Sequence, residues 1–226
     1  MRYSNVTEGI FLSRPNRFIA YVEINGITEV CHVKNTGRCK ELLIPGVKVF
    51  LEISDNPSRK TKYDLIAVYK GDVLINIDSQ APNKVFAEWV KDSGIFGKDI
   101  YIKPECKYKN SRFDFYIEAG SRRIFVEVKG VTLERDGVLL FPDAPTERGV
   151  KHLSELVDAA ENGYEAYVFF IIQMEKCLYF TPNRETHPAF ADTLRIAAEK
   201  GVKAVALTCS VRNDELKVLR EAEIRI

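Results

Sequence analysis

The apolar pattern of this 226-residue chain changes period once, at Ala81-Pro82, and that change constrains the fold more than any single motif. Before it, short apolar runs follow one another closely: Arg17 to Ile24, Ile27 to Val33, Val47 to Ile53, Tyr63 to Tyr69 and Val73 to Ile77. Asn25-Gly26 joins the first two runs and Lys70-Gly71-Asp72 the last two. Asn-Gly between alternating apolar runs is a strong hairpin signal, because the tight turn needs positive φ at both central residues. Five short strands without a long helix predict a small barrel of SH3 or OB type over residues 1–80.

After Ala81-Pro82 helices alternate with strands. Asn83 is placed to cap a helix over Lys84 to Asp92, whose apolar stripe is Val85, Phe86, Trp89 and Val90, with Gly94 ending it. Arg112 to Glu118 and Arg123 to Thr132 read as strands around a turn. Thr146 opens a second helix, in which Val150, Leu153, Leu156, Val157 and Ala160 recur at helical spacing until Asn162-Gly163. A buried strand over Tyr164 to Ile172, a helix from Pro188 to Lys200 and a strand from Val202 to Thr208 follow. Strand, helix, strand in that order requires a crossover and a partly parallel sheet. Residues 81–226 therefore read as an α/β domain with a mixed sheet.

Composition narrows the class. At 46% hydrophobic and 29% charged the chain can bury a sizeable core. Its longest apolar run, Ala166 to Ile172, is far short of the roughly 20 residues that span a bilayer, and Met1 to Gly9 has no secretory h-region. A cytoplasmic protein with no membrane partner is expected. Five scattered cysteines without a CxxC pair fit reduced thiols. A net charge of +1 argues against coating nucleic acid by bulk electrostatics, but leaves room for a local basic groove.

Chemistry concentrates in Arg112 to Glu118, the turn, and Arg123 to Gly130. A turn centred between Gly120 and Ser121 places Asp114 opposite Glu127, with Cβ atoms about 4.5–5.5 Å apart, and Lys129 on the same face. Like charges opposed in a sheet are destabilising unless a cation bridges them. A hard divalent ion, Mg²⁺ or Mn²⁺, fits two carboxylates, the Val128 carbonyl and waters. Such an ion stabilises charge on a phosphoryl oxygen and acidifies a water that Lys129 can hold, which is the logic of metal-dependent phosphodiester hydrolysis. Glu88, on the first helix of the domain, is the candidate for a further carboxylate. The other reading of the same residues is a solvated hairpin face with a Glu/Lys pair, and spacing leaves both open.

Two further clusters are polar and basic. Along the helix opened by Thr146, Arg148, Lys151 and His152 share a flank that is either solvated or aimed at phosphate oxygens. In the barrel, Asn35, Arg38 and Lys40 lie in a loop that is either a turn or a contact for phosphates and bases. Lys103, Lys107, Lys109 and Arg112, offset only by Glu105, form a basic approach to Asp114.

Three stretches carry a resemblance: Asn35 to Gly46, Phe125 to Leu133 and Phe141 to Leu153. Together they resemble the SfsA family, the sugar fermentation stimulation protein A homologues of bacteria and archaea. The resemblance implies an N-terminal OB-like domain joined to a PD-(D/E)xK, restriction-endonuclease-like domain, and DNA binding, with a role in regulating sugar use proposed for the founding member. It implies Asp114, Glu127 and Lys129 as the nuclease triad, with Glu88 supporting. The leading expectation is an Mg²⁺- or Mn²⁺-dependent nuclease acting on DNA or RNA. The alternative is a non-catalytic DNA-binding regulator that retains the pocket.

Overall fold

The structure is a computed structural model that describes residues 1–35 and 37–226; Thr36, within the Asn35 loop, lies outside them. The first unit is a closed five-stranded barrel. Its strands are β1 (Val6–Ser13), β2 (Ile19–Ile24), β3 (Ile27–Val33), β4 (Lys48–Ile53) and β5 (Tyr63–Lys70). They pair in the order β3-β2-β1-β4-β5, and a parallel β3–β5 contact closes the ring in OB topology. A short β6 (Val73–Asn76) folds back on β5. The Asn25-Gly26 hairpin has φ of 52° and 78° at its two central residues, as its sequence requires. Strand β1 escapes the sequence pattern because Thr7, Glu8 and Gly9 interrupt its apolar alternation.

The second unit is a six-stranded mixed sheet in the order β15-β14-β12-β9-β8-β7. Its strands are β7 (Ile100–Tyr108), β8 (Ser111–Ala119), β9 (Arg122–Val131), β12 (Glu165–Ile172), β14 (Lys203–Val211) and β15 (Leu216–Ala222). Strands β9, β12 and β14 run parallel, with antiparallel partners at both edges. Between β9 and β14, the short strands β10 (Leu133–Arg135), β11 (Val138–Phe141) and β13 (Tyr179–Pro182) form a separate three-stranded sheet.

Central strand β12 shows how one apolar run serves two layers. Tyr167, Phe169 and Ile171 meet Val85, Phe86 and Val90 of α1 (Ala81–Ser93) on one face. Val168, Phe170 and Ile172 meet Leu153 and Leu156 of α2 (Glu147–Glu161) and Phe190 and Leu194 of α3 (Pro188–Glu199) on the other. Phe86 packs at a tilt against both Phe115 and Phe169, with ring centroids 5.0 and 4.8 Å away. Thr146 caps α2, its Oγ accepting the Gly149 N–H at 3.0 Å.

The cap expected at Asn83 is a correction. Helix α1 begins three residues earlier than that cap implies, at Ala81, with Pro82 in its first turn, where a missing N–H costs nothing. That phase frees the Asn83 side chain for another task.

The two units are fused. The barrel interior and the α2/α3 side of the sheet form one continuous core, and a buried polar network crosses the joint. Gln173 Nε2 donates to Asn76 Oδ1 and to the Asp78 carbonyl, at 2.8 and 3.0 Å. Lys34 pairs with fully buried Asp78 at 3.0 Å. The N-terminal residues reach across to β15: Arg2 bridges to Glu215 and the Tyr3 N–H donates to the Asp214 carbonyl, while the Tyr3 ring packs on Phe50 and Ile66 of the barrel.

Candidate active site

The site forms where β8 and β9 stop being paired. From Ala119↔Arg122 to Phe115↔Val126 the two strands keep one register, the register in which Asp114 would next face Glu127. Instead of continuing the ladder, Asp114 offers its side chain: Oδ2 accepts the Val128 N–H at 2.8 Å. Its other oxygen accepts from Asn83 Nδ2 of α1 at 2.9 Å. The first turn of α1 thus holds a carboxylate at the point where the sheet splits.

Glu127 is 3% exposed, on the α2 side of the strand. Its Oε1 accepts from Lys129 Nζ at 2.7 Å and from His152 Nδ1. His152 in turn accepts from Arg148 Nε at 3.3 Å through Nε2. The second Glu127 oxygen, Oε2, is buried with no hydrogen-bond partner among the described residues.

The two carboxylates are driven apart electrostatically. Burial, then the Glu127 charge, push the Asp114 carboxyl above its ordinary range, against the Val128 N–H and Asn83. Burial would raise Glu127 as well, but the His152 hydrogen bond and the Lys129 charge outweigh it and hold it below. An excess of negative charge facing one unpartnered carboxylate oxygen is what a bound cation relieves. Each Asp114 oxygen also keeps a free lone pair after its one hydrogen bond. The residues therefore fit a hard divalent ion. Among the described residues no group of three or more His, Cys, Asp and Glu side chains gathers in metal-binding geometry. Two carboxylates and a backbone oxygen are ligands of the kind that Mg²⁺ would take, alongside waters and substrate oxygens.

Glu88 is not part of this cluster. Asn83 and Glu88 are five residues apart, so the helix turns Glu88 through about 140° from Asn83. It reaches the N-terminal ammonium at 2.7 Å, with its side chain 63% exposed, over a cavity beside β15. Asn83 is the α1 residue that reaches the site, and sequence pattern could reveal it only if the helix start were known to within one residue. His152 is likewise not a surface donor: it is 5% exposed and stands behind Glu127.

Of the basic residues, Lys107 is exposed on β7, Arg112 pairs loosely with Glu105 at 3.2 Å, and Lys109 is held by Asp158 at 2.7 Å. Lys151 Nζ donates to the Asn110 carbonyl. In the barrel, Arg38 and Lys40 are exposed and line a cavity of about 570 Å³ with Arg14 and Arg17. Asn35 is occupied structurally, donating to the Ile77 carbonyl and accepting the Gly37 N–H. Arg14, which no motif marks, grips this loop by donating to the Asn35, Gly37 and Arg38 carbonyls at 2.7–2.9 Å. A second cleft, of about 330 Å³, lies between that loop and Gly130 to Leu133, so the barrel abuts the site strand directly.

Comparison with known proteins agrees with this architecture. The family described as the SfsA N-terminal OB domain matches residues 12–77, and the sugar fermentation stimulation protein RE domain matches residues 80–215. The chain belongs to the SfsA family. A sugar fermentation stimulation protein homolog of Desulfitobacterium hafniense is 65% identical over 217 residues, 96% of this chain and 95% of the relative. A homolog of Ruminiclostridium cellulolyticum is 54% identical over the full length of both. The solved structure of Pyrococcus furiosus SfsA in complex with Ca²⁺ superposes with a TM-score of 0.90 at 30% identity, covering 100% of this chain and 98% of that one. In this SfsA chain the interval between the two matched domains falls at Asp78-Ser79, inside the buried polar joint.

Proposed function

We propose that this protein is a divalent-metal-dependent nuclease that hydrolyses phosphodiester bonds of DNA or RNA, with Mg²⁺ or Mn²⁺ between Asp114 and Glu127. The observation that carries the reading is the pair of buried carboxylates at the β8/β9 split, one with an unpartnered oxygen, beside the Lys129 ammonium. In an extended strand a residue's N–H and C=O point the same way, so the Val128 carbonyl lies on the Asp114 side and would supply a third oxygen to a bound ion. The Ca²⁺ complex of the Pyrococcus relative supports a hard cation, since Ca²⁺ and Mg²⁺ both take oxygen ligands.

A bound divalent ion would neutralise charge on the scissile phosphate and lower the pKa of a water. The protein does the rest. Asn83 and the Val128 N–H fix the Asp114 carboxylate, while His152 and Lys129 fix Glu127, so both are oriented before substrate arrives. Lys129, only 15% exposed, can exchange its bond to Glu127 for one to the attacking water or a phosphate oxygen. Exposed Arg38, Lys40, Lys107 and Arg112 provide positive charge along the route to the split, to hold the backbone of a nucleic acid.

One observation favours a second reading, a DNA-binding protein without cleavage. Lys129 and His152 both contact Glu127, so its charge is partly compensated without a metal. Incubation of the purified chain with labelled single- and double-stranded DNA and RNA, with and without Mg²⁺ or Mn²⁺, separates the two. The nuclease reading expects metal-dependent cleavage that Asp114→Asn and Lys129→Ala abolish. Binding with no cleavage of any substrate, or cleavage that survives both substitutions, contradicts it.

A further inference from the structure

An open cleft of about 500 Å³, lined in part by His152, lies between the β7–β8 turn and the first turns of α2. Ser111 lines it. The residue is 8% exposed, and its hydroxyl is buried with no hydrogen-bond partner among the described residues. A buried hydroxyl without a partner is costly and rare. Around it stand three cations, Arg112, Arg148 and Lys151, against one carboxylate, Glu147. The cations are only lightly engaged. Arg112 holds an exposed Glu105, and Lys151 holds a backbone carbonyl at 3.1 Å and Glu155 at 4.0 Å, bonds that an anion can replace.

We propose that this cleft is a phosphate-binding subsite, in which Ser111 donates to a backbone phosphate next to the scissile one while Arg112, Arg148 and Lys151 neutralise it. This rests on the nuclease reading above. A tetrahedral oxyanion matches cations at the rim with a hydroxyl donor beneath them, and it would give a partner to Ser111 Oγ, one of four buried side-chain atoms that lack one among the described residues. The cleft and Glu127 share one imidazole, since His152 lines the cleft and bonds Glu127 through Nδ1. The phosphate in the cleft is therefore not the one hydrolysed. It fixes the strand so that the next phosphate faces Asp114 and Glu127. Arg148 serves both sites, because its Nε also bonds His152.

The test is binding of fluorescent oligonucleotides in EDTA, so that it does not depend on cleavage. Ser111→Ala should weaken binding about tenfold, as loss of a hydrogen bond to a charged group does, without lowering the melting temperature, since the free protein loses an unpaired group. Lys151→Ala should reduce the slope of log affinity against log salt by about one. A neutral methylphosphonate scanned along the strand should weaken wild type at one internal position, and there Ser111→Ala should add nothing. Unchanged binding by Ser111→Ala, or a loss that is the same at every methylphosphonate position, overturns the subsite. Sensitivity to Ser111 only with inorganic phosphate or a 5′-phosphorylated end overturns the internal-backbone assignment. Wild-type binding in this pattern with no cleavage in Mg²⁺ or Mn²⁺ sinks the nuclease reading and leaves the subsite standing.

Discussion

At the residue scale, the site depends on which side chain points where. Glu127 and Lys129 were legible from their alternation on an apolar strand, and Asp114 from turn arithmetic, because a two-residue turn at Gly120-Ser121 fixes the β8/β9 register. What pattern could not give was the break in that register: Asp114 takes the Val128 N–H with its side chain, and only tertiary packing decides where a ladder ends. Asn83 reaches the site because α1 begins three residues earlier than the pattern suggests, at Ala81 rather than Lys84, and Glu88 lies about 140° round the helix from it. His152, read from spacing as part of a flank either solvated or aimed at phosphate, is a buried support for Glu127. Removing such a support should act on the metal. His152→Ala is expected to weaken Mn²⁺ affinity 10- to 100-fold, in the range typical of groups that orient a metal ligand, and calorimetric titration measures it. An unchanged affinity would mean that Lys129 alone orients Glu127.

At the scale of elements, strands with clean alternation or a continuous apolar run were readable, and exposed or interrupted ones were not. Strand β7 has no fully buried residue, and its Lys-Pro-Glu-Cys-Lys stretch shows no period. Its place in the sheet comes from β8. Helix α2 was readable because cap and stripe agree, and Thr146→Ala should cost about 1 kcal/mol in denaturant unfolding. The starts of β9 and β12 are tied by Arg122 and Glu165, with Nη2 and Oε2 2.8 Å apart. The Arg122 hydrogen bond takes the Glu165 carboxyl from its ordinary 4.5 to about 2. Folding therefore favours the ionised form: the stabilisation is complete above about pH 4.5 and fades as pH falls toward 2. The pair is partly exposed, so its effect is about 1 kcal/mol or less. The stability gap between wild type and Glu165→Gln should close over that acid interval, and a constant gap would remove the ion pair from the account.

At the scale of the whole molecule, the change of period at Ala81-Pro82 marks a change of architecture but not a break in cooperativity. The barrel carries 11 basic and 9 acidic residues and the remainder 22 and 23, so charge does not separate them either. Their joint is built from Lys34, Asn76, Asp78 and Gln173, which come from both units and carry no local signature. Removing Asp78 leaves Lys34 only Glu52, at 3.4 Å, and takes an acceptor from the Tyr3 hydroxyl. Asp78→Ala should cost about 3 kcal/mol, the low end for breaking a buried ion pair, and calorimetry should show one unfolding transition for wild type and variant. Two separate transitions in wild type would mean that the shared core does not couple the units.

The central claim is that Asp114 and Glu127 share a divalent cation at the β8/β9 split. Anomalous diffraction from a crystal soaked in Mn²⁺ tests it most directly. A single peak touching Asp114 and the Glu127 Oε2 that wild type leaves unpartnered, absent in Asp114→Asn, is the predicted result. A peak elsewhere, or none between these carboxylates at saturating Mn²⁺, would contradict it.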